Sequence, residues 1–139
     1  MARSRPVGLP PPRRLILDSG AVIALARRDQ RALAFLARAL ELGAEVEIPV
    51  VVVAEVVRGG PRDAPVNRIL KAVGSVPAAR EVHARIAGEL LGKARSAATV
   101  DALVVAHAVE AGGAHVLTGD REDLARLAAS HPEVRLHAV

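Results

Sequence analysis

Short apolar runs alternate with helical stretches along nearly the whole chain, and that alternation is the tightest limit on its fold. Arg13–Asp18 (RRLILD), Glu45–Ile48, Ala114–Thr118 (AHVLT) and Val134–Ala138 read as strands, with a minimal further strand over Gly74–Pro77. Helices are expected over Ser19–Arg27, Gln30–Leu42, Pro49–Arg58, Asp63–Val73, Ala78–Gly92 and Thr99–Ala111. A last one begins at Asp120 or Arg121 and ends near Ser130. Gly43 and the pair Gly112–Gly113 suit helix ends, and Thr99 suits a helix cap. The four valines Val50–Val53 would fit a strand equally well. The glycine pair Gly59–Gly60, and the unusual length such a strand would need, favour a helix. Strands that alternate with helices build an α/β fold, here a three-layer α/β/α sandwich around a mainly parallel central sheet.

The chain has 139 residues, enough for one domain with a substantial core. Residues 1–12 form a polar, proline-rich lead, expected to be a flexible tail, and residues 13–139 form the single domain. The longest uncharged apolar run, Ile48–Ala54, is far shorter than the ~20 residues of a membrane span. The N-terminal residues lack the apolar centre of a signal peptide, so the expected location is the cytoplasm. Absence of cysteine excludes disulfides and thiolate metal sites. The net charge of +4 is carried by 17 Arg and only 2 Lys. Arginine suits phosphate recognition, but an Arg- and Ala-rich chain also reflects genomic composition, so charge alone establishes no nucleic-acid partner.

Four carboxylates stand where strands or helices begin or end: Asp18 in LILDSG, Glu55 in VVVAEVVRGG, Asp101 in TVDALVVAHA and Asp120 in VLTGDRED. Each lies in apolar sequence, where an unpartnered acid is costly to desolvate. Convergence on a divalent cation accounts for all four. Ligands of open parallel sheets bind beyond the carboxyl ends of the strands. Asp18 ends the first strand, and Asp120 lies just past Ala114–Thr118. If those strands are neighbours, the two acids share one edge. Asp101 lies in the first turn of its helix, and Glu55 has the reach of a peripheral or water-mediated ligand. Asp18, Asp101 and Asp120 are the expected direct ligands. Oxygen-only donors select Mg²⁺ or Mn²⁺, and the chemistry that fits is metal-assisted phosphodiester hydrolysis.

The ordered set LILDSG, PVVVAEVVRG, TVDALVVAHA and LTGDREDL resembles the PIN domain, specifically its small VapC-like type, over Leu15–Val139. The resemblance implies a Mg²⁺- or Mn²⁺-dependent endoribonuclease whose acidic site is Asp18, Glu55, Asp101 and Asp120. It makes Asp123 an adjunct acid and gives Ser19 and Thr118 supporting hydrogen bonds. It further implies an RNA substrate, a homodimer, and a small antitoxin that inhibits a toxin. Phe35 is the only aromatic residue, and position 124 is Leu where many relatives carry an aromatic. RNA binding would therefore rest on arginine, backbone shape and metal-held phosphate rather than base stacking.

Structural alternatives exist for each residue. Asp18, Asp101 and Asp120 could be helix caps, Asp123 a first-turn dipole residue, and Glu55 a solvent-facing side chain. Asp29 and Asp63 read as turn or cap residues. Arg58 and Arg121 could contact RNA or an inhibitor, or serve as ion-pair partners. The five histidines have no metal-ligand spacing, and His107 is expected to pack beside its helix. Leu33, Leu36 and Leu40 form a stripe for a partner helix, a dimer face or the core. Two other functional classes remain. A binding or scaffold module of this fold would have no use for four intact acids. A receiver-type signalling domain would need a lysine near them, and neither Lys71 nor Lys93 comes after a strand near the acids.

Overall fold

A computed structural model describes residues 13–139; the proline-rich stretch 1–12 lies outside the described residues. Four strands form one fully parallel sheet: β1 (Arg14–Leu17), β2 (Glu45–Glu47), β3 (Ala114–Thr118) and β4 (Val134–Ala138), in the order β2-β1-β3-β4. Seven α-helices connect them: α1 (Ser19–Ala26), α2 (Gln30–Glu41), α3 (Val50–Val56), α4 (Ala64–Val73), α5 (Glu81–Ala94), α6 (Thr99–Glu110) and α7 (Arg121–Leu127). This is the α/β sandwich expected from the alternation of apolar runs.

The central strand carries the architecture. Leu15, Ile16 and Leu17 are consecutive and fully buried. Successive strand residues point to opposite faces, so both faces of β1 are covered by helices. Helix α6 is buried almost all round, through Ala102, Val104, Val105, Ala106, His107 and Ala108, as an evenly apolar helix must be. β1 pairs with β3 in the register Leu15↔His115, Ile16↔Val116, Leu17↔Leu117. The ends of these two strands therefore lie side by side, and the turns that leave them start at one edge of the sheet. No helix among the described residues is long and apolar enough to cross a membrane.

Local differences from the sequence reading have local causes. Gly74–Pro77 forms no strand. Its carbonyls at Ser75 and Pro77 accept from the N–H groups of Ile48 and Val50, both at 3.0 Å, but Pro77 has no N–H to return the pairing. Helix α5 starts at Glu81 rather than Ala78, because Arg80 is extended and its N–H donates to His83 Nδ1 at 2.9 Å. It runs past Gly92 to Ala94, where left-handed Arg95 stops it. Thr99 is the first residue of α6 rather than its cap; Ala98 holds the cap position, and its N–H donates to Ser96 Oγ at 3.0 Å. The valine run is helical, but α3 stops at Val56, ahead of Gly59–Gly60. Asp63 folds back there and accepts the N–H groups of Arg58 and Gly59. Helix α7 ends at Leu127 instead of Ser130. In α2 the buried positions are Ala32 and Ala39, with Leu33 and Leu36 half-buried, whereas Leu40 is 57% exposed.

Candidate metal centre

The edge where β1 and β3 end is built on a contact between two glycines. A Cβ on Gly20 would lie 2.6 Å from Gly119 Cα, and one on Gly119 would lie 2.9 Å from Gly20 Cα. Only a pair without side chains lets the turn after β1 touch the turn after β3. That closeness gives Asp18 its partners. Its Oδ1 caps α1 by accepting the Ala21 N–H at 2.9 Å and also accepts the Gly119 N–H at 3.3 Å. Burial pushes the Asp18 carboxyl above its ordinary range, while bonds from Thr118, Ala21, Gly119 and Gly20 pull the other way.

Thr118 is fully buried beneath this edge. Its Oγ1 accepts the Asp120 N–H at 2.8 Å, and its hydroxyl also bonds to the Asp18 carboxylate, so one side chain ties both turns together. Thr118→Val is expected to lower stability by about 1–2 kcal/mol, since it leaves a part-buried N–H and the buried Asp18 carboxylate without that partner. Urea unfolding would read the change as a lower midpoint at unchanged slope.

Asp101, Asp120 and Asp123 each present a carboxylate oxygen to one space, and these three oxygens lie within 4.8 Å of one another. Asp101 projects from the first turn of α6, Asp120 caps α7, and Asp123 comes one turn later with its N–H on Asp120 Oδ1 at 3.3 Å. Asp101 carries the strain of this arrangement. Desolvation first, then the charges of Asp18, Glu55, Asp120 and Asp123, raise its pKa from 3.8 to about 6. Asp123 is shifted down instead, by its hydrogen bonds to Asp120 and to Arg126. Arg126 Nη2 donates to Asp123 Oδ1 in a close ion pair.

The remaining sequence-selected residues sit around this cluster. Glu55 is exposed on α3 rather than buried among its apolar neighbours; it accepts a hydrogen bond from Ser19 Oγ and contributes charge to Asp101. The guanidinium of Arg58 does not form an ion pair among the described residues. It donates to the carbonyls of Ala54 and Val57 at 3.1 and 3.0 Å, at the end of α3. Arg121 is exposed at the first position of α7. The histidines lie elsewhere, in side-chain pairs. His107 is buried against Glu47 at 3.0 Å, His83 meets Glu110 at 3.2 Å, and His115 Nδ1 lies 2.8 Å from His137 Nε2. Asp29 caps α2, as its place before an apolar helix indicates.

The tight triad thus differs from the ligand set expected from sequence. Asp123 joins Asp101 and Asp120, while Asp18 stands beside them, bonded to backbone. The spacing Asp120–Asp123 carries the signal, because residues three apart at a helix start face the same side. Gly20 and Gly119 are the positions that sequence reasoning misses. Each lies within three residues of a strand end and close to an aspartate, and that placement is the one signal they offer.

The oxygen-only donors fit a hard divalent cation. Oxygens within 4.8 Å of one another are close enough to share one such ion, whose ligands stand ~2.1 Å from it. The raised pKa of Asp101 reflects burial first and then four neighbouring negative charges, which such a cation would offset.

The model of the family described as "PIN domain" matches residues 15–130. No curated protein sequence matches the chain. Among solved structures, the chain is similar to VapBC2 from Rickettsia felis bound to a DNA fragment from their promoter, with TM-score 0.71 and 15% identity, over 91% of this chain and 98% of that one. FitAcB from Neisseria gonorrhoeae gives TM-score 0.63 and 21% identity over 88% and 95%. A toxin–antitoxin complex from Klebsiella pneumoniae gives 0.65 and 20% over 86% and 94%. At these identities the likeness is one of fold.

Proposed function

The chain belongs to the PIN domain family, and from that membership we propose that it is a Mg²⁺- or Mn²⁺-dependent endoribonuclease, the toxin of a VapC-like toxin–antitoxin pair. The observation that carries this reading is the convergence of the Asp101, Asp120 and Asp123 oxygens beside Asp18 and Glu55. Asp101, Asp120 and Asp123 would hold the cation, with Asp18 and Glu55 at its edge. When bound, the cation supplies Lewis-acid activation of water and neutralises charge on the phosphodiester.

The chain's own residues do the rest. Thr118 fixes the turns that bear Asp18 and Asp120, and Ser19 fixes Glu55. With hardly any aromatic side chains, the substrate is held by its phosphates rather than by stacked bases. The proposed unit is the single domain of residues 13–139, acting in the cytoplasm. Its proposed partners are RNA, a second copy of the chain and a small antitoxin, the last supported by neighbours that are toxin–antitoxin assemblies.

The test is incubation of the purified chain with RNA in Mg²⁺, Mn²⁺ or EDTA, beside the Asp18→Asn/Asp101→Asn double variant. Cleavage is expected with metal and only from the wild type. Cutting that survives EDTA, or that the double variant shares, would overturn the assignment.

A further inference from the structure

A second cleft lies at the far end of α7, where this helix packs on α5, and it has a chemistry opposite to that of the acidic edge. Its volume is about 140 Å³, against the ~10–15 Å³ that admits one water. Lys93, Arg126, Ser130 and His131 line it, over a floor that includes Leu90 and Leu127. His131 is held by Glu133 at 3.1 Å and Arg126 by Asp123, whereas Lys93 makes no ion pair among the described residues. A cleft with an uncommitted ammonium, a guanidinium and a hydroxyl suits a phosphate group.

We propose that this cleft binds a backbone phosphate of the single-stranded RNA substrate, beside the phosphate that is cut. The inference rests on the ribonuclease reading above and adds the path of the strand. The seven residues of α7 span ~10 Å. Asp123 belongs to the acidic triad, and Arg126, less than one turn further on, lines the cleft, so their ion pair joins the two sites directly. The strand passes over α7 from the acidic edge towards Lys93.

The experiment measures binding of a fluorescein-labelled single-stranded RNA to the full chain by anisotropy, in EDTA, where nothing is cut. Lys93→Glu is expected to weaken binding at least tenfold, and Lys93→Arg to stay within threefold. Lys93→Ala should reduce the slope of log affinity against log salt by ~0.7, the loss of one phosphate contact. Lys71→Glu, on exposed α4, makes the same charge change away from the cleft and is expected to stay within twofold. Equal weakening by Lys93→Glu and Lys71→Glu would overturn the cleft and leave the ribonuclease reading standing. A wild type that binds no RNA, with metal or without, would overturn both. Lys93 is exposed, so these variants should fold, and thermal unfolding checks that they do.

Discussion

Asp101→Asn is expected to lower metal-dependent RNA cleavage about a thousandfold, the order lost when one group that stabilises the transition state is removed, and to make the metal-free protein more stable above pH 6. Both effects have one origin. Asp101 is half-buried among four other acids, with a pKa of about 6 in the folded chain against an ordinary 3.8. Between these values the folded state binds more protons than the unfolded one, so stability falls as pH rises through that window. The penalty is complete above pH 6 and is relieved as pH falls towards 4.

Two pH units correspond to roughly 3 kcal/mol, and screening by solvent at a partly exposed site reduces this to about 1–2 kcal/mol. Asparagine has no charge to repel. Thermal unfolding in EDTA should therefore show the variant pulling ahead of wild type between pH 4 and 6 and holding that lead at pH 7. Adding Mn²⁺ should raise the wild-type midpoint by more than the variant's, because binding to the folded state adds stability. Parallel pH profiles for the two proteins would rule out charge repulsion at Asp101.

Gly20→Ala should cost about 3 kcal/mol, through the contact between the Gly20 and Gly119 backbones. The added methyl would sit 2.6 Å from Gly119 Cα and 2.7 Å from its nitrogen. Neither is the end of a flexible side chain, so the turns must separate, at a cost in the upper range for overpacking. A protein of this size should lose roughly 10 °C in its midpoint. The same movement withdraws the Gly119 N–H from Asp18 and shifts Asp120 away from Asp101, so metal affinity should fall as well. Gly60→Ala is the control, since Gly60 has φ −120° and open space where a Cβ would go. Comparable midpoints for the two variants would show that the glycine contact does not hold the edge together.

Much of this fold is legible in residue patterns. β3 and β4 begin and end where their apolar runs do, because a short buried strand is bounded by the first residues that must reach water or turn. The glycine pair Gly59–Gly60 marks the valine run of α3 as helical, against the strand preference of valine itself. Strand adjacency is only permitted by the sequence, not dictated, and the pairing Leu17↔Leu117 settles it. What a sequence does not weigh is distance. Asp123 reads as an ordinary first-turn acid until the fold places Asp101 beside it. Glu55 reads as buried because its neighbours are apolar, yet its side of α3 faces solvent. Leu40 continues the leucine spacing of α2 but lies beyond the buried line of Ala32 and Ala39. The glycine contact joins positions that nothing in the intervening sequence relates.

That contact spans the chain. The bond from Gly119 to Asp18 joins residues 101 positions apart, and long-range closures of this kind form late in folding. While the protein is being made, β1 and the Asp18 that follows it leave the ribosome before β3 and wait for it. Asp120 and Asp123 emerge only about a hundred residues after Asp18. A truncated or stalled product that lacks them has no acidic centre to assemble. For a protein proposed to cut RNA, the acidic centre is complete only once both strands and both turns have been made.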